Sequence, residues 1–439
     1  MKKFFTTIRN IFSIEELRTR ILNTLGFLVI FRLGSWVVLP GIDPEILEQV
    51  GGQATGIFGL LDTFLGGAFS RASIFALGIM PYISASIVIQ LLTVAVPYFQ
   101  KLQKEGDSGR KKLSQITRIL TIGITLLQGG SYLAATIPPE AIMIDRWFFN
   151  ISSLIILSSG TIFCMWLGEK ITDKGIGNGI SMLIMIGIIA HFPGALVSEA
   201  LSKGMNGALL FVLEMVALFF VVLGVVLLTQ AVRRIPVQYA KQVVGNKVYG
   251  GQRQYIPLRV NAAGVMPIIF AQALMFLPGL LAGLWADTSD IAASVGQAFS
   301  DITSWQYNLL FFVLIILFTF FYTAITINSS QIADDMKRNG GFIPGIKPGK
   351  PTAEFIDTVL SRITLPGSVF LGIVAIMPAF AMLAGVTTDF SYFYGGTSLL
   401  IMVGVILDTL QQIESYLLMR HYEGMMKSGR VKGRSQAEA

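Results

Sequence analysis

Three ionisable residues sit inside apolar stretches of the chain: Arg32, Glu214 and Asp408. Such groups are rare within a membrane span and commonly mark ion paths or proton relays. Here they fall on three separate stretches, so no pair is evident. Asp408 lies near the end of its stretch, where water can reach it. His191 and His421 are too far apart in sequence to suggest a shared metal. Cys164 lies in an apolar run and reads as a small buried hydrophobe. No Gly-x-x-x-x-Gly-Lys-Ser/Thr loop and no His-Glu-x-x-His occurs. Nothing pairs a nucleophile with a base. No catalytic residue, cofactor or metal site is expected, and the chain shows no energy source of its own.

The elements that carry these residues are unusually apolar. The chain has 439 residues, 53% hydrophobic and 13% charged, with mean hydropathy +0.67. A soluble domain carries about 25% charged residues. The apolar blocks run close to the ~20 residues needed to cross a hydrocarbon core. The expected fold is therefore an all-α polytopic membrane protein. One cysteine rules out an internal disulfide framework. The start, "MKKFFTTIRNIFSIEELRTR", lacks an apolar run followed by a small-residue cleavage site. It reads as an interfacial helix over residues 1–20, with Phe4, Phe5, Ile8, Ile11 and Phe12 facing the membrane.

Ten spans are expected, at about 21–39, 74–96, 118–137, 151–168, 179–196, 208–230, 262–283, 307–328, 366–385 and 397–417. Of the 33 Lys and Arg residues, 29 fall on the termini and the even-to-odd connections, and 3 on the opposite set. The remaining one is Arg32. The positive-inside rule then places both termini in the cytoplasm. Residues 40–73 do not fit this scheme. "IFGLLDTFLGGAFS" (57–70) is apolar but too short to cross. It can be a re-entrant segment or an external amphipathic helix.

A repeat links the two halves. Gly78-Ile79-Met80-Pro81 matches Gly264-Val265-Met266-Pro267, with Ile83 matching Ile269. "GISMLIM" (179–185) matches "GTSLLIM" (396–402). These are spans 2 and 7, and spans 5 and 10. Two matches in corresponding places suggest two five-span halves, the second inverted relative to the first. In that arrangement Gly allows close backbone approach and Pro kinks its helix. The four segments would surround an axis and point isoleucine at it.

Two connections are much longer than topology needs. Residues 231–260 hold Arg233, Arg234, Lys241, Lys247, Arg253 and Arg259, interleaved with Tyr239, Tyr249 and Tyr255. Residues 329–365 hold Lys337, Arg338, Lys347, Lys350 and Arg362 around "GGFIPGIKPGKP". Basic loops can simply set topology and meet anionic lipid. Loops this long are commonly functional, and their basic, aromatic content suits an acidic protein or a nucleic acid.

Several long stretches resemble the SecY family of bacterial protein-export channels: "SRASIFALGIMPYISASIVIQLL" (70–92), "EKITDKGIGNGISMLI" (169–184), "VNAAGVMP" (260–267), "FIPGIKPGKPT" (342–352) and "YFYGGTSLLI" (392–401). The resemblance runs from about residue 15 to 434. It implies ten transmembrane helices in two inverted five-helix halves (21–192 and 208–417) forming a clamshell around a central pore. A hinge would lie at 193–207 and a basic tail at 418–439. The family's six-isoleucine constriction carries over to Ile79, Ile83, Ile180, Ile184, Ile269 and Ile401. The 57–70 segment resembles the family's plug, including Phe58, Leu61, Phe64, Leu65, Gly66 and Gly67. Leu65 stands where some relatives have a small polar residue. Ser84, Gln128 and Asn261 match the polar cluster of a lateral gate.

The same resemblance implies a passive conduit for unfolded secretory and membrane proteins bearing signal sequences. Its partners would be the small membrane subunits SecE and SecG, with the SecA ATPase or a ribosome as driver. Those drivers would dock on Arg233, Arg234, Lys241, Arg253, Lys347 and Arg362. Lys347 replaces the family's usual Arg, keeping the charge but losing the planar fork. The expected location is the inner membrane of a bacterium. A secondary transporter also uses inverted repeats and broken helices. The scarcity of charge within spans and the size of the basic loops argue against it.

Overall fold

The computed structural model describes residues 12, 14–51, 57–204, 207–239, 242–244, 247–249, 253–272, 274–275 and 301–427. Side chains at 48–51, 57, 58, 60, 61, 135, 242–244, 247–249, 253 and 419–427 fall outside this description. Two compact units emerge, Met1–Pro193 with Ile401–Ala439, and Gly194–Leu400. Phe4, Phe5, Ile8, Ile11 and Lys241 lie outside the described residues.

Among the described residues, six helices are long and apolar enough to cross a membrane: those opening at Arg146, Gly179, Ala208, Trp305, Lys350 and Gly396. A seventh counts if Met80–Ala95 and Pro97–Lys104, bent by 98°, form one span. Glu15–Gly34, which carries Arg18, Arg20 and Arg32, and Asp107–Thr136 have the length but are not among them. Among the described residues, then, fewer helices than the ten expected have both the length and the apolar composition of a span.

Several boundaries move. The first helix is Glu15–Gly34 rather than 21–39, because Leu39 N bonds Ala72 O (2.9 Å) and Ile74 N bonds Val37 O (2.9 Å), taking 37–39 out of the helix. The second expected span begins at Met80 rather than 74. The ninth runs Lys350–Leu383, so much of the expected connection 329–365 is helix, and Pro366 and Pro378 sit inside it. Each Pro removes only one donor, which a long packed helix tolerates.

The first unit packs around Leu39, Leu65, Phe69, Leu77, Tyr132, Phe149 and Leu157. The helix Arg146–Lys174 starts on Asp145, whose carboxylate accepts from Phe148 N at 3.3 Å. That is an ordinary N-cap. Residues 175–178 form a tight connection held from several sides. Ile176 N bonds Thr24 Oγ1 (3.0 Å), Gly177 N bonds Gln412 Oε1 (2.8 Å), and Gly179 N bonds Thr172 Oγ1 (2.9 Å).

The second unit departs from an all-α fold. Residues 231–259 contain β1 (Val232–Tyr239), β2 (Gln242–Val244), β3 (Lys247–Tyr249) and β4 (Arg253–Arg259). β1 pairs antiparallel with β4, with Arg234 opposite Pro257 and Ile235 opposite Ile256. Its far end pairs with β5 (Gly341–Phe342), Gln238 opposite Phe342. The resulting order is β4-β1-β5. One face packs Ile235, Val237 and Leu258 against Met336, Ile343, Ile356 and Leu360. Period-2 alternation explains this: Ile235 and Val237 point inward while Arg234 and Pro236 face out.

The same unit contains a buried ionic network. Lys203 Nζ lies 3.3 Å from Glu199 Oε1 and 3.0 Å from Glu214 Oε1, and donates to Gly385 O at 2.6 Å. Glu199 also accepts from Thr387 N (2.8 Å) and from the Thr387 hydroxyl. Tyr394 donates its hydroxyl to Glu214 O at 2.6 Å. Burial, with Glu214 and Glu199 adding to it, pushes the Tyr394 phenol up, so it remains a donor. Residues 199 and 203 are therefore anchored to 214 and to the 385–387 turn. Lys203→Met would leave two carboxylates buried without their cation. We expect a loss of about 3–5 kcal/mol, read as a lower thermal unfolding midpoint in detergent; an unaltered midpoint would show that the network adds no net stability.

Candidate functional site

The repeated sequences occupy the same structural position. Gly78 and Gly264 both adopt left-handed backbone, with φ of 50° and 63°. Each is followed by a helix that opens at the Met, at Met80 and at 266. Pro81 sits in the first turn, where its missing N–H leaves no hydrogen bond unmade. The motif is thus a helix start, not a kink within a helix as its Pro suggested. The second pair behaves alike: one helix opens at Gly179 and another at Gly396.

Four of the six candidate collar residues fall at matching depths in these helices. Ile83 and Ile269 are each the fourth residue of their helix, and Ile184 and Ile401 each the sixth. Ile79 is the N-cap of the first and Ile180 the second residue of the third. Asn178 Oδ1 accepts from Ile180 N (3.1 Å) and Ser181 N (3.3 Å), fixing where that helix begins. Ile79, Ile83, Ile184 and Ile401 are buried, while Ile180 and Ile269 are half-buried. Five belong to the first unit and Ile269 to the second.

The 57–70 segment is a nine-residue helix, Ile57–Leu65, followed by turns. At 1.5 Å per residue it is roughly 14 Å long, well short of a span. Thr63, Phe64, Leu65, Ala68 and Phe69 are buried. Leu65, which stands where some relatives have a small polar residue, packs in the core of the first unit and lies over Gly78, where a Cβ would collide with it. Asp62 folds the turns back on the helix: Ser70 N and Ser70 Oγ both donate to it at 2.9 Å. Tyr132 donates to Phe69 O at 2.7 Å. The side chains of Phe58 and Leu61 lie outside the described residues.

The expected gate residues, Ser84, Gln128 and Asn261, differ in their settings. Ser84 donates to Met80 O in its own helix (3.2 Å), and Gln128 is exposed. Asn261, in the second unit, is buried. Of the expected docking residues, Arg233 and Arg234 are exposed on β1, and Lys347 and Arg362 are exposed beside and within the helix Lys350–Leu383. Arg253 opens β4. The loops that carry them share one sheet, a relation not read from the sequence. Lys203 was also missed as a structural cation. Its spacing of four from Glu199 was the available signal.

A model of the SecY family matches residues 73–410. The protein translocase subunit SecY of Streptomyces coelicolor is 43% identical over 436 residues, covering 96% of this chain and 100% of that protein. SecY of Mycobacterium tuberculosis is 42% identical over 447 residues, covering 97% and 100%. Among solved structures, a protein-conducting channel aligns with TM-score 0.63 at 17% identity, covering 91% of this chain and 92% of that one. Sec61 in a canine ribosome–channel complex aligns with TM-score 0.59 at 16% identity, covering 91% and 92%. Residues 73–410 hold both Gly-x-Met-Pro helix starts, the starts of both Gly-opened helices and the strand-bearing basic connections. This chain belongs to the SecY family of protein translocase subunits, membrane channels rather than enzymes.

Proposed function

We propose that the chain forms a passive conduit through which an outside machine drives unfolded polypeptide across a bacterial inner membrane. The observation that carries this reading is the pairing of helix starts: Ile83 with Ile269 and Ile184 with Ile401, each at equal depth behind a glycine. Branched apolar side chains at such depths suit a collar that closes by dewetting and widens around an extended chain. A collar of this kind offers no fixed hydrogen-bond pattern, which suits a substrate of arbitrary sequence.

In this reading the 57–70 segment closes the outer side of the collar at rest. A neighbouring solved structure concerns a SecY plug domain that stabilises the closed channel, and it aligns with TM-score 0.62 at 17% identity. The seam carrying Ser84, Gln128 and Asn261 releases apolar segments sideways into lipid. The pivot between halves sits at Pro193–Gly194, since residues 199 and 203 are tied to the second unit. That is the N-terminal edge of the expected 193–207 hinge. The strand-built basic surface receives SecA or a ribosome, with both termini in the cytoplasm. SecE, SecG and anionic lipid complete the assembly.

Cysteines at 79, 83, 180, 184, 269 and 401 should cross-link to an arrested secretory chain; an intermediate that avoids all six would place the conduit elsewhere. Reversing charge at Arg234 together with Arg362 should weaken SecA or ribosome binding several-fold in ~0.15 M salt, where exposed charges still act over about 8 Å. Undiminished binding would leave those residues a role in topology alone.

A further inference from the structure

Arg32 is a guanidinium in the last turn of the helix Glu15–Gly34, directly after the apolar run Leu25–Phe31, where a charge is costly and seldom kept without a partner. Its partner is a backbone carbonyl of the short segment: Nη1 donates to Gly66 O at 2.6 Å. The bond is charge-assisted and partly buried, the stronger class of hydrogen bond. Ser35 Oγ is a weaker second acceptor for the same nitrogen, at 3.4 Å.

Gly187 meets the same turn from the helix Gly179–Lys203. A Cβ added at Gly187 would collide with Phe64 O, and one added at Gly66 would lie 3.1 Å from Gly187 Cα. No side chain intervenes, so the segment and the helix lie backbone against backbone. Gly66 and Gly67 also need their φ of 66° and 84°, which other residues adopt at a cost. One turn further on, His191 Nε2 lies 3.8 Å from Asp62 Oδ2, on the carboxylate that holds Ser70.

Two helices therefore grip one turn at adjoining points. The second of them carries Ile180 and Ile184 within its first six residues. A shift of the segment must break the Arg32 bond and open the Gly187 contact together. We propose that Arg32 and Gly187 are positioning residues that latch the 57–67 segment in its seat and so set the resting ion tightness of the channel. This rests on the reading of that segment as the closing element.

The test uses the full chain in phospholipid liposomes, with chloride efflux as the probe and no motor present. Four variants are compared with the parent: Arg32→Gln, Arg32→Lys, Gly187→Ala and a deletion of residues 57–67. Arg32→Gln should raise efflux about tenfold or more, the scale of losing one charge-assisted bond, and Gly187→Ala should raise it too, because the added methyl group pushes Phe64 O and the segment out of their seat. Arg32→Lys, which still donates to Gly66 O, should restore most of the tightness. Combined with the deletion, neither substitution should add further efflux. If the deletion leaks but Arg32→Gln and Gly187→Ala stay tight, the latch is wrong and the closing element stands. If the deletion itself stays tight, the closing element fails and the latch with it. Added efflux in the deleted background would place the effect of both residues elsewhere and overturn the latch. Thermal unfolding of each variant separates loss of the latch from loss of the fold.

Discussion

Backbone polarity in hydrocarbon governs this molecule. An unpaired N–H or C=O there costs several kcal/mol, so non-helical backbone at membrane depth must be covered by protein or water. Residues 66–79 are non-helical and still lie among long apolar helices. The structure satisfies them piece by piece. Ser70 bonds Asp62, Phe69 O receives Tyr132, and Leu39 and Ile74 exchange bonds with Ala72 and Val37. The same constraint faces any polypeptide that must cross the bilayer unfolded, which is why such a chain needs a conduit at all.

Glycine is the means by which this irregular backbone is accommodated. Gly160 takes Ile74 O against its bare face, as Gly187 takes Phe64 O and Gly179 takes Gly168 O. Each contact replaces a side chain with a backbone atom, so the packing is close and intolerant of even one methyl group. The cost is that charge appears where carbonyls gather. Arg32 at Gly66 O and Lys203 at Gly385 O both answer such a carbonyl.

Much of this was legible in the sequence because it is written in glycine, proline and hydrophobic length. The span Ala208–Gln230 falls where the apolar run places it, and the Gly-x-Met-Pro repeat marked two equivalent positions. What the repeat means was not legible. Pro81 reads as a kink until Gly78 is seen at positive φ with the helix beginning after it. The strands were hidden for a related reason. Pro236 and Pro257 lie inside β1 and β4, and a run of arginines masks the alternation of Ile235 and Val237. β1 tolerates Pro236 because β5 reaches only Gln238 and Tyr239, leaving that flank of the strand open. Partners at long range, such as Gln412 for Gly177 or Glu214 for Lys203, leave no periodic trace.

The small sheet carries a mechanical implication. β1 leaves the helix Ala208–Gln230 after a single residue, β4 runs into the turn before the helix at 266, and β5 precedes Lys350–Leu383 by a few residues. Hydrogen bonds and a shared greasy underside weld the three strands together. A tug anywhere on this knob is divided among the three helices that adjoin it, so it serves as a crank whose arm cannot turn without its shafts.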